Sequence, residues 1–305
     1  MKVSVVICAY TEEMYDHFRE AVESIFAQTY DDIELVLVSD GNDPLYERMQ
    51  ADYGDRENVT IHCNEENVGL SGSRNNALEH VSGDIVALID DDAVADEEWV
   101  EELVSVYESR DAIAAGGKMT PIWVAGKPSF LPEEFYWLVG VTHRGFAEPG
   151  EEVRNTFGSN ISFRTEVLQE LGGFETQVGR QGEKKLQAHE TEFCARMREA
   201  YGQGVIYNPD AKVGHKVFDF RTEKRWLLER AFWQGYSKRA METIVSEDAS
   251  AEESAFLKQL LFEFVPSRVK SLAADPSTTK ATQLLTLFLL TGLVGTGYLY
   301  GLIKW

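Results

Sequence analysis

IVALIDDDA, residues 85–93, is an apolar run that ends in three consecutive aspartates. A short aliphatic run bounded by polar residues predicts a buried strand, so Asp90, Asp91 and Asp92 stand at its carboxyl end. Carboxylates crowded at the end of a buried strand repel one another, and a bound cation would relieve this repulsion. Asp90 and Asp92 are two residues apart and can point to the same side, as oxygen ligands for Mg²⁺ or Mn²⁺. The alternative interpretation is an acidic loop or helix N-cap before Glu97.

Three further apolar runs precede this strand, and helical stretches separate them. The runs are VSVVICAY (residues 3–10), IELVLVSD (33–40) and VTIHCN (59–64). Amphipathic periodicity predicts one helix over residues 16–29 and another over residues 71–80. This alternation is typical of an α/β protein whose parallel sheet is covered on both faces. Because ligands bind such sheets at the carboxyl ends of the strands, we predict a site at that edge.

The second half of the chain predicts a less regular structure. Four prolines and several aromatic residues between residues 116 and 152 predict a long irregular connection. NTFGSNISFR (155–164) predicts a strand, and a short helix follows it and ends at Gly172-Gly173. The remaining predicted elements are a loop over 179–188, a helix from about Glu190, a helix over 222–245, and an amphipathic helix over 256–265 that ends at Pro266.

The composition limits the partners of the protein. Its 305 residues carry 29 Lys and Arg against 51 Asp and Glu, a formal net charge of -22 at pH 7. Such a surface repels a phosphate backbone, so we expect no nucleic acid partner. It also suits a protein from a halophile, because concentrated salt screens most of the self-repulsion. The cysteines Cys8, Cys63 and Cys194 form no C-x-x-C pair, which argues against a disulfide framework or a zinc site.

The C-terminal region contains LLTLFLLTGLVGTGYLYGLI, residues 284–303, which carries no charge. Twenty residues at the rise of a helix roughly match a hydrocarbon layer of about 30 Å, so we predict a single transmembrane helix. Arg268, Lys270 and Lys280 precede this run and only Lys304 follows it, so we predict a protein of the cell membrane whose domain before this helix faces the cytoplasm. The alternative is a buried helical hairpin in a soluble oligomer, because the glycines of the run allow close helix packing.

Four segments, taken together, resemble the nucleotide-sugar half of family 2 glycosyltransferases. They are VSVVICAYTEE, VLVSDGND, NVGLSGSRNNAL and ALIDDDA, in this order along the chain. Thr11 stands where the family commonly has Asn. The resemblance extends to about Ser237 and implies a GT-A fold, which is a Rossmann-like nucleotide-diphospho-sugar transferase domain.

The resemblance implies roles for polar residues at the predicted sheet edge. Tyr10, Glu12 and Asp40 would hold the nucleoside, Arg74 would face the diphosphate, Asp90 and Asp91 would contact the donor, and Asp92 would contact the metal. The chemistry agrees, because a carboxylate accepts a hydrogen bond from a uracil N–H and an arginine pairs with phosphate oxygens. For Tyr10, Glu12 and Arg74 the alternative is ordinary turn chemistry or a surface ion pair.

A second set of residues resembles the acceptor side of the family. GSNISFRTEVLQELGGFE, residues 158–175, resembles the segment beside the acceptor. Gly158, Ser159 and Asn160 would there supply a backbone that the acceptor sugar approaches closely.

The catalytic motif of the family also has a counterpart. AHETEFCARMR, residues 188–198, resembles the acid-rich segment with Glu190 at the place of the base, where an aspartate is commoner. Glu190 would take the proton of the acceptor hydroxyl. The alternative for Glu190 and Glu192 is a pair of acids favoured by the helix dipole. His215 matches a histidine that completes the metal shell in many relatives, and a core or surface histidine is the alternative.

The implied function is metal-dependent, inverting transfer of a hexosyl or hexuronosyl group from a nucleotide-diphosphate sugar. A membrane helix favours a lipid-linked glycan on dolichyl or polyprenyl phosphate as the acceptor. With the acidic composition, the chain is similar to haloarchaeal transferases that build N-linked glycans for surface-layer glycoproteins. Thr222 replaces the Gln of the processive synthase signature, so we expect one sugar per encounter. The alternatives are a nucleotidyltransferase, although TEEMYD is not its Gly-rich loop, and a catalytically inactive nucleotide-sugar binding module anchored to the membrane.

We predict three parts along the chain. A glycosyltransferase domain covers residues 1–245, with a nucleotide-sugar half over 1–115 and an acceptor half over 116–245. A juxtamembrane segment covers residues 246–281, and the transmembrane helix covers residues 282–304.

Overall fold

The strands of the protein form one mixed sheet. The computed structural model describes residues 1–176, 189–244 and 251–304, and the predicted loop over 179–188 lies outside these residues. The strands in the described part are β1 (Val3–Ala9), β2 (Ile33–Ser39), β3 (Val59–Cys63), β4 (Ile85–Leu88), β5 (Ala93–Ala95), β6 (Ala114–Trp123), β7 (Glu152–Val153), β8 (Ile161–Arg164) and β9 (Val205–Val217). Their order is β3-β2-β1-β4-β8-β6-β9-β5, and β7 pairs with β9.

The helices alternate with the strands in the first half of the chain and dominate its C-terminal part. The helices are α1 (Tyr15–Phe26), α2 (Asp43–Tyr53), α3 (Gly69–Ala77), α4 (Trp99–Ser109), α5 (Thr165–Glu170), α6 (His189–Tyr201), α7 (Asp219–Thr222), α8 (Lys224–Ile244), α9 (Ala251–Gln259), α10 (Val265–Ala274) and α11 (Thr278–Lys304).

The parallel part of the sheet confirms the prediction from the apolar runs. β1 pairs in parallel with β2 and β4, and β2 pairs in parallel with β3. Neighbouring residues of these strands, such as Val36 and Leu37, are both buried, because helices cover the two faces of the sheet. The carboxyl ends of β1, β2 and β4 therefore meet at one edge, as expected for an α/β sheet that binds a ligand there.

The irregular connection predicted from residue 116 is wrong for residues 116–123, which belong to β6. Gly116 and Gly117 near its start weaken the strand pattern in the sequence. A Cβ on Gly116 would lie 2.1 Å from Thr156 Oγ1, and one on Gly117 would lie 1.8 Å from the Ala211 carbonyl oxygen. Glycine inside a strand commonly marks such a close approach. The strand predicted over 155–164 is shorter than expected, because only residues 161–164 pair as β8.

Pro266 does not end a helix as predicted. Residues 260–264 form a π-helical turn that connects α9 to α10, and Pro266 lies in the first turn of α10. Proline is tolerated there because the first N–H groups of a helix have no acceptor within it.

The chain divides into two compact units. The first unit comprises Met1–Thr120 and Ala147–His215, and it holds the parallel strands and every predicted site residue. The second comprises Pro121–Phe146 and Lys216–Trp305. Its own core contains side chains that are at most 2% exposed: Leu131, Phe135, Leu227, Phe264 and Leu287. The domain boundaries expected at residues 245 and 281 stay predictions.

The C-terminal apolar helix is confirmed as α11. It is the one helix in the described ranges that is long and apolar enough to cross a membrane, judged by length and composition. Only 22% of its most apolar window is buried inside the protein, so most of its apolar surface faces outward.

The Glu34 carboxylate on β2 supports a pH-dependent stability prediction. It accepts hydrogen bonds from Lys2 Nζ at 2.5 Å, Ser4 Oγ at 2.5 Å and Ser82 Oγ at 2.6 Å. Desolvation opposes the charged form, but these donors outweigh it and lower the pKa of Glu34 from 4.5 to about 2. The resulting stabilisation is fully present above pH 4.5 and is lost as the pH falls through about 2. Glu34→Gln should therefore lower the free energy of unfolding by about 1.5–3 kcal/mol at pH 7.

Urea unfolding of both proteins between pH 3 and pH 7 measures this effect. The difference between wild type and Glu34→Gln should narrow below pH 4.5. Glu20→Gln, a change at an exposed acid on α1, serves as the control. A difference for Glu34→Gln that stays constant over this range would contradict the prediction.

Candidate active site

Arg74 lies at the centre of the candidate site. Its guanidinium is buried and donates from Nη1 to Glu190 Oε1 at 2.7 Å. Nη2 donates to Asp90 Oδ1 at 3.0 Å and to the Gly158 carbonyl oxygen at 2.9 Å. One side chain from α3 thus joins the end of β4, the loop before β8 and the start of α6. The structure brings together four residues that the sequence analysis assigned to three different roles; we refer to them as the Arg74 cluster.

The charges of this cluster are unbalanced. Burial opposes the charged form of Arg74, but the carboxylates of Glu190 and Asp90 outweigh it and raise the pKa of Arg74. Desolvation raises the pKa of Asp90, and the nearby charges of Asp92 and Glu190 raise it further against the attraction of Arg74. Two carboxylates therefore share one guanidinium at the sheet edge, and the charge of a third, Asp92, acts on Asp90. Such an arrangement favours the binding of an additional cation.

Asp92 and His215 form the part of the site that fits a metal ion. β5 pairs antiparallel with β9, and this register places Ala93 opposite His215. His215 Nε2 consequently lies 3.6 Å from Asp92 Oδ1, and both side chains are buried. A carboxylate oxygen and an imidazole nitrogen are donors that suit Mn²⁺.

These two donors are only part of a coordination shell. Within the described residues, no group of three His, Cys, Asp or Glu side chains could hold an ion. The residues present fit a metal whose other ligands come from the diphosphate of a nucleotide sugar and from water, which is the usual environment of Mg²⁺ at phosphate sites.

Asp40 holds the start of the helix that carries Arg74. Its carboxylate accepts hydrogen bonds from the backbone N–H groups of Val68 and Gly69, each at 2.9 Å. It also accepts from Asn64 Nδ2 at 2.9 Å, and only 5% of the residue is exposed. A carboxylate at a helix N-terminus satisfies its free N–H groups. The structure thus gives Asp40 a positioning contact in addition to the nucleoside role that the resemblance implies.

Asn64 is a site residue that the sequence analysis missed. Its Nδ2 group bridges Asp40 and Ser73 Oγ, and its Oδ1 atom accepts from Asn76 Nδ2. Asn64 therefore ties the end of β3 to the middle of α3. The signal was present, because Asn64 follows its strand as Asp40 follows β2.

The predicted nucleoside contacts Tyr10 and Glu12 lie outside the Arg74 cluster. Both follow β1, and the Tyr10 ring is 62% exposed. Among the described hydrogen bonds, none joins Tyr10 or Glu12 to Arg74 or its partners. Asp91 is half-buried in the turn between β4 and β5.

The predicted acceptor residues make different contacts. Ser159 Oγ accepts from the Asp90 backbone N–H at 2.9 Å and so fixes the aspartate turn. Asn160 is fully buried, donates to the Ala211 carbonyl oxygen at 2.8 Å and accepts from Trp99 Nε1 at 2.9 Å. The Asn160 side chain therefore supports the fold beneath the site.

Gly158 permits the close approach of Glu190. A Cβ on Gly158 would lie 1.8 Å from Glu190 Oε1 and 2.4 Å from Glu190 Cδ, so Gly158→Ala must displace the carboxylate. Because the family resemblance implies that Glu190 is the base, we expect kcat to fall about 100-fold, as for a catalytic group displaced by roughly 1 Å, with an unchanged Kd for the donor. Steady-state kinetics and calorimetric donor binding measure the two quantities.

Gly292→Ala is the matched control for this change. A Cβ on Gly292 meets no atom within 4 Å, so kcat should stay as in wild type. A Gly158→Ala enzyme with wild-type kcat would show that the position of Glu190 does not limit transfer.

Comparisons with known proteins agree with this geometry. The model of glycosyl transferase family 2 matches residues 4–172. A glucosyl-dolichyl phosphate glucuronosyltransferase from Haloferax volcanii is 53% identical over 304 residues, which is 99% of this chain and 97% of that protein.

Solved structures share the fold. The mannosyltransferase PcManGT from Pyrobaculum calidifontis, in complex with GDP-Man and Mn²⁺, has a TM-score of 0.58 and 19% identity, and the match covers 99% of this chain and 86% of that one. The structure of TarS residues 1–349 from S. aureus, in complex with UDP, has a TM-score of 0.57 and 16% identity. That match covers 98% of this chain and 89% of the TarS chain. The sheet, the family match and the full-length relative lead to the same conclusion: the chain belongs to glycosyl transferase family 2 and is a glycosyltransferase with a GT-A fold.

Proposed function

We propose that the protein transfers a glucuronosyl group from a nucleotide-diphosphate sugar to glucosyl-dolichyl phosphate. The observation that carries this proposal is the relative with that printed activity, which is 53% identical over 99% of the chain. The Arg74 cluster supports it, because a candidate base lies beside acids at the strand ends where GT-A proteins are expected to hold the donor.

In the proposed reaction, Glu190 accepts the proton of the acceptor hydroxyl. That oxygen forms a bond to the anomeric carbon of the donor sugar, and the bond from this carbon to the diphosphate oxygen breaks on the opposite side. The sugar is transferred with inversion, and the nucleoside diphosphate leaves. A positioned carboxylate contributes about 10²–10⁴-fold to such a proton transfer.

Asp92 and His215 would hold a divalent metal, Mn²⁺ or Mg²⁺. When bound, the metal would neutralise charge on the leaving diphosphate. Arg74 already donates to two carboxylates and a carbonyl oxygen. We therefore assign it the positioning of Glu190 and Asp90, alongside the diphosphate contact that the family resemblance implies.

The acceptor class and α11 together support a reaction at the cell membrane. We propose that the active site faces the cytoplasm, because the basic residues Arg268, Lys270 and Lys280 before α11 would be attracted to the anionic cytoplasmic leaflet. We also propose that the product enters the assembly of an N-linked glycan for a surface-layer glycoprotein of a halophile. Deletion of the gene followed by mass spectrometry of cell-surface glycopeptides tests this role, and unchanged glycans would refute it.

A transfer assay tests the proposed activity. The purified protein in high salt with Mn²⁺ is given UDP-glucuronate, UDP-glucose, UDP-N-acetylglucosamine or GDP-mannose, with glucosyl-dolichyl phosphate or dolichyl phosphate as acceptor. We expect nucleoside diphosphate release and a lipid heavier by one hexuronosyl residue only with the glucuronate donor and the glucosylated lipid, and both should cease with EDTA.

Four outcomes would contradict parts of this proposal. Transfer to unglucosylated dolichyl phosphate would overturn the acceptor, and full activity in EDTA would overturn the metal. Donor binding by folded protein without release in any combination would favour the inactive binding module. Formation of a nucleotide sugar from a sugar phosphate would instead favour a nucleotidyltransferase.

A further inference from the structure

The helix α11 has two distinct faces. Leu287, Leu290, Gly297 and Gly301 are buried and lie on one side of it. The opposite side is apolar and exposed, and its large residues recur with the period of an α-helix. We call this side the outer face of α11, and its large members are Leu285, Phe288, Leu289, Leu299 and Ile303.

The buried side of α11 packs against α8 at glycine contacts. A Cβ on Gly235 would lie 1.9 Å from the Val294 carbonyl oxygen, and one on Gly297 would lie 1.9 Å from the Phe232 carbonyl oxygen. Further along α11, a Cβ on Gly301 would lie 2.8 Å from Arg239 Cβ, so from Gly297 to Gly301 the contact moves from Phe232 to Arg239 and the two helices run side by side in the same direction. Such backbone contacts require small residues and fix the two helices as a pair.

The helix α8 is unsuited to the interior of a bilayer. Beside the apolar part of α11 it carries Glu229, Arg230, Lys238, Arg239 and Glu242. Arg239 Nη1 donates to Glu242 Oε2 at 2.9 Å, and Tyr298 Oη of α11 donates to the same atom at 2.7 Å. The free-energy cost of one charged residue at the bilayer centre cancels the favourable insertion free energy of roughly five leucines. A crossing by α11 would therefore either separate it from α8 or bring these charges into the hydrocarbon.

The charge of the second unit differs from that of the rest of the chain. Residues 121–146 and 216–305 contain 14 Lys and Arg against 12 Asp and Glu. The remaining residues contain 15 against 39. The strong negative charge that would repel an anionic lipid surface is thus confined to the first unit.

We propose that the outer face of α11 is a membrane-docking surface that lies in the plane of an anionic bilayer, with α8 on its protein side, so that the chain binds one leaflet without crossing it. Exposed apolar side chains insert into the headgroup and acyl boundary of a bilayer, and the strength of binding increases with the buried apolar area. The inference does not depend on the sugar, since a lipid surface is the only partner involved.

Vesicle flotation tests the docking surface. The full chain is mixed with vesicles of equal parts phosphatidylglycerol and phosphatidylcholine, and the Phe288→Glu/Leu299→Glu double variant is compared with wild type. Both residues are more than half exposed, so the variant should keep its melting temperature while the bound fraction falls at least tenfold. Val124→Glu changes an equally exposed residue away from α11 and should bind as wild type.

Two results, one from flotation and one from sedimentation velocity, would overturn the proposal. One is unchanged binding by the double variant. The other is a dimer of the wild type, without lipid, that the double variant converts to monomer, because the outer face of α11 would then contact a second copy. Sedimentation velocity distinguishes the second result.

A topology experiment distinguishes docking from crossing. An epitope tag with a site-specific protease site is placed after residue 305, and membrane vesicles are prepared with the cytoplasmic side outward. We expect cleavage of the tag without detergent, since both ends of α11 lie on one side. Cleavage only after detergent would show that α11 crosses the bilayer and would overturn the proposal. Neither readout requires a sugar donor, so loss of transfer and loss of docking are measured separately.

Discussion

Glu190→Gln should abolish sugar transfer while leaving donor binding intact. The amide is nearly isosteric, and its Oε1 atom can still accept from Arg74 Nη1, which lies 2.7 Å from Glu190 Oε1 in the wild type. It cannot accept a proton from the acceptor hydroxyl. We expect kcat to fall by about 10²–10⁴, the usual contribution of a general base. Single-turnover transfer and calorimetric binding of the donor measure the two effects.

Glu192→Gln is the control for this prediction. Glu192 is on the same helix, but its carboxylate pairs with Arg196 Nε at 2.6 Å. Arg196 in turn donates to the carbonyl oxygens of Leu171 and Gly173. This variant should lose stability and keep transfer. If Glu192→Gln removed transfer and Glu190→Gln retained it, the assignment of Glu190 as the base would be wrong.

Asp92→Ala should abolish metal-dependent binding of the donor. Asp92 is buried and supplies the carboxylate beside His215, so its removal leaves one protein donor for the metal. The metal would also be the main positive charge for the donor diphosphate, because Arg74 already contacts two carboxylates. We expect donor affinity in Mn²⁺ to fall to the level that wild type shows in EDTA, as measured by calorimetry.

Asp96→Ala provides the matched control. Asp96 follows β5 and its side chain is exposed, so its loss should leave the donor affinity as in wild type. If Asp92→Ala retained the difference between Mn²⁺ and EDTA, the metal ligands would have to be sought among other residues. If wild type showed no such difference, the proposed metal dependence itself would be refuted.

Local sequence was sufficient for the parallel part of the fold. Runs such as VSVVICAY and IVALID predict strands because buried parallel strands need aliphatic residues on both faces. The same logic placed Asp40 and Asp90 at strand ends, where the structure has them. Prediction failed at β6 and Pro266. The glycines of β6 are explained by the close approach of the Ala211 carbonyl oxygen to Gly117, which local sequence does not report. Pro266 does not end the helix because a π-helical turn before it leads into α10.

The sequence by itself determined the family, the strand-helix alternation, the acids at the sheet edge and the apolar C-terminal helix, because each is a local pattern of residue types. Only the tertiary structure decided that Arg74 joins Glu190, 116 residues away, to Asp90 and Gly158. It also decided that Gly297 and Gly301 of α11 face α8. A periodicity reports which side of an element is apolar, but the partner of that side depends on contacts between residues that are distant in the chain.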